Sequence, residues 1–159
     1  ASEDMGVGVD GCSAPNFAVP LSNLARSYAR LARPEVDEVY GASLKLLGDA
    51  MTAHPELVSG TGRSDADLMR VGRGDWVTKV GADGVQVIGS RSRGQALALK
   101  IADGNKVALF AATVEALDQL GWLDATQRQE LHVWRAQSLN NIKGLNVGER
   151  RSVFKLQFA

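Results

Sequence analysis

Apolar side chains recur at every third or fourth position in three stretches of the chain, and this spacing predicts three amphipathic helices. The first stripe comprises Leu21, Leu24, Tyr28 and Leu31. The second stripe comprises Val36, Tyr40, Leu44, Leu47 and Met51, and the third comprises Val107, Phe110, Val114 and Leu117. We expect the first two helices to pack against each other, with both apolar stripes in the core.

Proline and glycine set the expected ends of these helices. Pro34 interrupts the first stripe and can start the second helix, because proline fits the first turn of a helix. The second helix should end near His54 and Pro55. The third should end near Leu120 and Gly121, since glycine is favoured just after a helix.

Two short helices are predicted from possible capping boxes, in which Ser or Thr is followed three residues later by an acidic residue or Gln. Ser64 and Asp67 have this spacing after a Gly-rich loop, which predicts a helix over residues 65–70. Thr126 and Gln129 have it closer to the C-terminus, which predicts another short helix there.

The centre of the chain is rich in β-branched and aromatic residues, which favour strands. Residues 76–80, 85–88 and 96–101 form three such runs, separated by turns that contain glycine. Connections this short predict an antiparallel meander. Apolar and polar residues alternate imperfectly, which indicates a sheet covered by helices on both faces. The expected fold class is therefore α/β, more narrowly α+β, with helices packed on an antiparallel sheet.

Length and charge narrow the possible classes of protein. The 159 residues fit a single domain over 1–159 with no internal boundary. The 18 Lys and Arg residues balance the 18 Asp and Glu residues, so no net field attracts nucleic acid or an anionic membrane. No apolar run is long enough to predict a membrane span, and the first residues do not resemble a signal peptide.

The single cysteine and the first residue bear on where the chain works and whether it is whole. One cysteine cannot form an internal disulfide, which fits a reducing cytoplasm. The sequence begins with Ala1 rather than Met, so we expect either a processed chain or a fragment.

The N-terminal run around Val7 and Val9 predicts a strand that ends in a turn, because Asp-Gly is a strong turn signal. Asp10 and Cys12 should therefore lie at the end of a strand and face a cleft, where a scaffold can hold side chains for chemistry. A carboxylate there can bind the α-amino group of a free amino acid. Alternatively, Asp10 closes a turn by accepting hydrogen bonds from its own backbone.

Three sequence blocks occur together in this chain. Residues 8–21 begin Gly-Val-Asp-Gly-Cys, residues 51–63 read Met-Thr-Ala-His-Pro-Glu-Leu-Val-Ser-Gly-Thr-Gly-Arg, and residues 79–85 read Lys-Val-Gly-Ala-Asp-Gly-Val. In this order they resemble the bacterial L-asparaginase II family of the Rhizobium type. The resemblance runs from about Gly8 to about Glu149 and covers only the C-terminal half of a family member.

This resemblance implies the C-terminal portion of a fold similar to that of β-lactamases and penicillin-binding proteins. Those enzymes carry a Lys-Thr/Ser-Gly motif on an edge strand beside the nucleophile, and Lys79-Val80-Gly81 takes that place here. Val80 lacks the hydroxyl group of that motif. Either the role of the hydroxyl lies elsewhere, or Lys79 only shapes the pocket.

The resemblance also implies hydrolysis of L-asparagine to L-aspartate and ammonia through a serine acyl-enzyme. The Ser-x-x-Lys nucleophile pair of the family would lie upstream of this chain. The one Ser-x-x-Lys present here, Ser152-Val153-Phe154-Lys155, is in an apolar tail that departs from the family pattern. The alternatives are a related serine amidohydrolase, glutaminase-like or β-lactamase-like, and a truncated homologue that binds amino acids without turnover.

Four residues receive roles from the resemblance. Asp10 and Gly11 would bind the substrate, and Lys79 would act in both catalysis and substrate binding by placing positive charge beside the substrate carboxylate or the oxyanion. Cys12 would bind zinc together with ligands from the upstream half. Taken alone, Lys79 is equally well a strand lysine that faces water, and a lone cysteine is commonly a small buried hydrophobic residue.

Three further residues are weaker candidates. Arg63 can clamp a carboxylate, His54 can complete a helix C-terminus through the helix dipole, and His132 should lie at the surface or at a rim. A half-fold exposes part of its core, so we expect association with the upstream half or with a second copy as a homodimer. The expected ligands are L-asparagine and L-aspartate, with no nucleic acid partner.

Overall fold

The computed structural model describes residues 5–157, so residues 1–4 and the last two residues of the predicted apolar tail lie outside the described part. The elements follow in the order β1 (Val7–Val9), β2 (Pro15–Phe17), α1 (Leu21–Ala32), α2 (Gly41–Ala53), α3 (Pro55–Ser59), α4 (Ser64–Val71), β3 (Trp76–Gly81), β4 (Val85–Ser90), β5 (Gln95–Lys100), α5 (Lys106–Gln119), α6 (Ala125–Glu130), α7 (His132–Arg135), β6 (Gln137–Asn140) and β7 (Asn146–Arg150). Across 5–157, none of these helices has the length and apolar character needed to span a membrane.

The central sheet is the predicted antiparallel meander, with strand order β3-β4-β5. Successive residues of a strand point to opposite faces. Trp76 packs with Val114 and Leu117 of α5, whereas Val77 packs with Leu31 and its neighbours on α1. Helices therefore cover both faces of the sheet, and the predicted fold class is confirmed.

Two glycines help to position these helices: one lets a helix lie close to the sheet, and the other ends a helix. A Cβ atom at Gly89 of β4 would lie 2.6 Å from the carbonyl oxygen of Tyr28, so the absence of a side chain lets α1 lie directly on the sheet. Gly121 has φ of 70° and ends α5 just after Leu120, as its position in the sequence predicts.

The second predicted helix is shorter than its apolar stripe indicates. Residues 34–36 form one 3₁₀ turn, and the Asp37 carboxylate then accepts a hydrogen bond from the backbone N–H of Tyr40. Because this turn separates the two segments, α2 begins only at Gly41. Val36 and Tyr40 consequently lie outside α2 and are largely exposed.

The apolar stripe of α2 is also only partly in the core. Leu44 and Met51 pack against the cluster that α1 forms with β3, which confirms the predicted helix pair. Leu47 belongs to the same predicted stripe but is 52% exposed. The prediction that Leu47 lies in the core is therefore wrong.

Both predicted capping boxes are wrong. No side chain caps α4, which starts at Ser64 itself, and the Ser64 side chain is buried against the rest of the fold. The box near the C-terminus joins Asp124 and Gln127, because Asp is as good a capping residue as Thr and starts α6 earlier. The predicted single helix there is divided into α6 and α7.

Two hairpins contain strands that the sequence pattern did not reveal. Strand β2 pairs with β1, and β7 pairs with β6, both antiparallel. All residues of β1 and β2 are exposed, and β6 and β7 are mostly exposed. A strand without a buried face shows no alternation of apolar and polar residues, so its pattern is weak.

Candidate functional site

Lys79 lies on β3, an edge strand of the central sheet, as predicted. Its ammonium group donates a hydrogen bond to the carbonyl oxygen of Val80 at 2.7 Å and lies 3.8 Å from a carboxylate oxygen of Asp65. The Lys79 side chain is 44% exposed, whereas Asp65 is fully buried. The lysine is therefore held by the protein on one side and open to solvent on the other.

Asp65 organises a buried polar network directly behind Lys79. Its carboxylate accepts hydrogen bonds from the backbone N–H of Val80 at 2.8 Å and from the side-chain amide of Gln86 at 2.8 Å. The Gln86 amide also donates to the Thr78 hydroxyl at 2.7 Å. One carboxylate thus fixes both the backbone that follows Lys79 and the neighbouring strand β4.

The negative charge of Asp65 also affects a residue outside this network, Tyr28. Burial, and secondarily this charge, raise the pKa of Tyr28 to about 12. The sequence prediction missed Asp65, because it treated the Ser64 segment as an ordinary capped helix. The available signal was a polar residue inside each of the two largely apolar strands that follow, Thr78 in β3 and Gln86 in β4.

A cavity of about 510 Å³ opens beside Lys79. Arg63 and Lys106 bring two further cationic side chains to its wall, and Phe110 and Trp134 supply aromatic surface. The two rings meet edge to face with centroids 5.1 Å apart, and the Trp134 indole N–H donates to Asp67 at 3.0 Å. The structure therefore joins Lys79 and Arg63, two of the predicted site residues, in one cavity.

Asp10 lies at the end of β1, as predicted, and closes the turn of the N-terminal hairpin. Its Oδ1 atom accepts hydrogen bonds from the backbone N–H of Cys12 at 2.9 Å, from the Cys12 thiol at 2.9 Å and from the N–H of Ala14 at 3.2 Å. The thiol bond, followed by the backbone bond of Cys12, lowers the pKa of the Asp10 carboxyl. Oδ2 accepts no hydrogen bond from any residue in 5–157.

Gly11 and Cys12 are exposed in this turn. Cys12 is thus not the buried hydrophobic residue that a lone cysteine commonly is. The Cys12 sulfur and the Asp10 carboxylate are close enough to share one metal ion. Within the described residues, however, no group of three or more His, Cys, Asp or Glu can hold a metal. A structural zinc ion takes four ligands, so these two residues do not make a zinc site by themselves.

The structure does not bring all the predicted site residues together. Asp10 borders a shallow depression formed by residues 6–10 and 16–18, whereas the cavity of Lys79 is lined by no residue before Val58. His54 joins α2 to α3 at a helix end, as predicted, and His132 is exposed at the start of α7. Neither histidine lines the cavity.

Ser152 and Lys155 lie in the C-terminal segment, where residues 151–157 form no helix or strand. A serine nucleophile activated by a lysine one turn later needs both side chains on the same helix face. This segment does not provide that arrangement.

Two comparisons with known proteins bear on these observations. A family model described as L-asparaginase II matches residues 1–152, which is nearly the whole chain. No curated protein matches the chain significantly.

Proposed function

The chain belongs to the L-asparaginase II family, and from this premise we propose that it forms part of an amidohydrolase acting on L-asparagine. The family match over residues 1–152 is the observation that carries this proposal. The overall reaction is L-asparagine plus water to L-aspartate plus ammonia.

The proposed reaction proceeds through a serine acyl-enzyme. A serine hydroxyl attacks the side-chain amide carbon, and its proton passes to a neighbouring lysine. The lysine gives this proton to the amide nitrogen, so that the carbon–nitrogen bond breaks and ammonia leaves as the acyl-enzyme forms. Water then hydrolyses the ester and releases L-aspartate. The serine and its lysine come from a Ser-x-x-Lys segment upstream of this chain, because Ser152 and Lys155 are not on a helix.

Lys79 is the catalytic residue that this chain contributes. Its ammonium group, held by the carbonyl oxygen of Val80 and by Asp65, points positive charge toward the cavity. A fixed positive charge stabilises the oxyanion that develops when the amide carbon becomes tetrahedral. An ammonium group has three N–H donors, and one of them is used in the hydrogen bond to the Val80 carbonyl oxygen, so two remain for the substrate.

Asp10 and Gly11 are proposed to bind an amino-acid substrate at its α-amino group, in the N-terminal hairpin and apart from the cavity of Lys79. The Oδ1 atom of Asp10 is fixed by the turn, and its Oδ2 atom remains open. The hydrogen bonds from Cys12 lower the pKa of this carboxyl, which favours the ionised form that binds an ammonium group. Cys12 and Asp10 are proposed to supply two ligands of a zinc site whose other ligands come from the upstream half.

The upstream half is the proposed partner of an exposed apolar surface. This surface, here called the 36–57 surface, consists of Val36, Val39, Tyr40, Leu46, Leu47 and Leu57, all of which are more than half exposed. An apolar patch of this kind marks an interaction site. A second copy of the chain is the alternative partner, and the cytoplasm is the proposed location because the single cysteine needs no oxidising compartment.

One observation favours a second function. Because the described residues hold no helical Ser-x-x-Lys, the chain by itself fits an amino-acid-binding homologue without turnover. A glutaminase would share the site described here. A β-lactamase-like activity is less well supported, since Val80 replaces the hydroxyl residue of the Lys-Thr/Ser-Gly motif.

The test is ammonia release from L-asparagine by the purified chain, alone and coexpressed with the segment encoded directly upstream. We expect release only from the coexpressed pair, and Lys79→Ala should lower kcat by roughly 10²–10³-fold. Lys143→Ala, which removes one exposed charge from the β6–β7 turn, is the matched control and should leave kcat unchanged.

Other outcomes would change the proposal in defined ways. Turnover by the chain alone would place the nucleophile within it, and Ser152 and Ser13 would then be substituted first. Equal turnover of L-glutamine would identify a glutaminase, and hydrolysis of nitrocefin without release from L-asparagine a β-lactamase-like enzyme. Thermal stabilisation by L-asparagine without turnover in either preparation would indicate the amino-acid-binding homologue.

A further inference from the structure

The cavity beside Lys79 has an unusual charge for a protein with balanced acidic and basic residues. Arg63 reaches its wall from the loop before α4, Lys79 from β3 and Lys106 from α5, and none of the lining residues within 5–157 is Asp or Glu. Three like charges repel one another unless an anion lies between them. Their convergence on one cavity therefore points to an anionic ligand.

Two of these cations have no acidic partner among the residues that the structure describes. No ion pair or side-chain hydrogen bond joins Arg63 or Lys106 to another residue within 5–157. The other arginines near this end of the fold behave differently: Arg70 pairs with Asp67, and Arg135 pairs with Glu115. The free guanidinium and ammonium groups are thus available to a ligand.

The cavity wall contains two further sources of hydrogen-bond donors, one from the backbone and one from a side chain. Ser64, the first residue of α4, lines the cavity, and no side chain caps this helix. The first N–H groups of a helix lack intrahelical partners and carry a partial positive charge. The Ser59 hydroxyl, also in the cavity wall, is buried without a hydrogen-bond partner in the described part of the chain. Buried hydroxyls normally have a partner.

The remaining wall and the size of the cavity restrict the kind of anion. Val58, Phe110 and Trp134 present apolar surface, which an inorganic anion would leave uncovered. The cavity volume of about 510 Å³ falls within the range of roughly 300–1,000 Å³ that is usual for small-molecule sites. A carboxylate carried on a short carbon chain satisfies both the charged and the apolar parts.

We propose that this cavity binds the carboxylate of a small organic acid, with Arg63 and Lys106 as its carboxylate clamp and Phe110 and Trp134 against its carbon chain. The planar guanidinium of Arg63 can donate two parallel hydrogen bonds to one carboxylate. This proposal rests on the proposed function in one respect: the substrate and the product of that reaction are both small organic carboxylates. The carboxylate comes either from the substrate or from a separate organic acid.

The test uses the full 159-residue chain, succinate as the probe and isothermal titration calorimetry at about 20 mM salt, where screening is weak. We expect saturable one-to-one binding with Kd of roughly 1 mM or lower. Arg63→Gln and Lys106→Gln should each weaken binding by roughly 10- to 100-fold, as expected for the loss of a charge-assisted hydrogen bond. Lys143→Gln removes the same charge elsewhere and should change Kd less than twofold.

Three results would overturn the site: no succinate binding, binding that Arg63→Gln and Lys106→Gln leave unchanged, or equal affinity for inorganic phosphate. Circular dichroism of each variant excludes loss of the fold as the cause. Displacement of succinate by L-asparagine supports the site and identifies its carboxylate as that of the substrate. Binding that L-asparagine does not displace supports the site and assigns it to a separate organic acid.

This experiment is independent of turnover. If the coexpressed pair releases no ammonia but succinate binds with the expected variant effects, the proposed reaction is wrong and the carboxylate site stands. If ammonia is released and neither variant alters succinate binding, the carboxylate site is wrong and the reaction stands.

Discussion

At the scale of single residues, Asp10 and Asp65 are two carboxylates in opposite environments. Asp10 is exposed on a hairpin turn and is held by hydrogen bonds from residues within four positions of it. Asp65 is fully buried and is held by groups on two strands of the central sheet. The first carboxylate can therefore meet a ligand, whereas the second acts on the position of β3 and of Lys79.

The Asp10 turn has a testable pH dependence. The Cys12 thiol is the largest cause of the lowered pKa of Asp10, so Cys12→Ala should raise this pKa toward its ordinary value. Because the native pKa is depressed, the turn keeps its contribution above the ordinary pKa and loses it as pH falls through the native value. Carboxyl-selective NMR titration of wild type and Cys12→Ala measures the shift. An unchanged Asp10 titration in the variant would disprove the thiol bond.

Removal of the Asp65 carboxylate should destabilise the fold strongly. Asp65→Ala removes the acceptor of the Val80 N–H and one of the two acceptors of the Gln86 amide, at a cost of about 2–5 kcal/mol in the free energy of unfolding. Asp49→Ala is the control, because Asp49 is exposed to solvent and its ion pairs with Lys45 and Arg91 contribute little to stability. Urea unfolding followed by circular dichroism compares the two. An equal decrease in the free energy of unfolding for both variants would mean that the buried network stabilises the fold no more than the exposed ion pairs do.

At the scale of elements, α2 and α5 show how similar apolar stripes acquire different roles. Val114 and Leu117 of α5 are almost completely buried in a cluster with residues of the sheet, of α4 and of the loops that flank α6. The stripe of α2 touches the core only through residues near α1 and β3, so Leu46 and Leu47 face solvent. Helical periodicity is the same in both elements, and only the number of neighbours differs.

A matched pair of leucine truncations tests this difference. Leu117→Ala should cost about 2–5 kcal/mol in the free energy of unfolding, because it opens a cavity in the main core. Leu47→Ala should cost about 0.5 kcal/mol or less in the isolated chain, since its side chain is largely in water already. Thermal or urea unfolding gives both values. A large loss for Leu47→Ala would show that α2 is packed more deeply than described.

At the scale of the whole molecule, the 36–57 surface is one of the exposed apolar regions outside the core. Its residues belong to the turn before α2, to α2 and to α3, which follow one another in the chain. A partner that covers this surface would bury the half of the α2 stripe that the chain leaves exposed. Leu47 was predicted to lie in the core, and the proposed association would bury it in an interface instead.

Two charges on this surface should prevent that association. Leu46→Glu combined with Leu57→Glu should abolish complex formation with the upstream half while leaving the unfolding midpoint nearly unchanged, because both leucines are more than two-thirds exposed. Sedimentation velocity of each preparation gives the mass of the complex. Dimers of the chain alone that the double variant removes would identify a second copy as the partner. Complexes that survive the substitutions would place the interface elsewhere.

The sequence by itself determined the elements whose signals are local. Residues 76–100 form the predicted meander, because strands joined by short turns can pair only antiparallel. The spacing of apolar residues likewise predicted α1 and α5, and Gly121 predicted the end of α5. The turn at Asp10 and the strand position of Lys79 were predicted for the same reason, since both depend on a few neighbouring residues.

Tertiary structure decided which of these residues share a site. Asp65 and Val80 are separated in sequence by a helix and a turn, and only the packing of α4 against β3 joins the carboxylate to that backbone N–H. Lys106 reaches the cavity of Lys79 and Arg63 because α5 returns to the sheet. Burial and convergence are properties of packed elements, whereas a sequence window records only periodicity and turn chemistry.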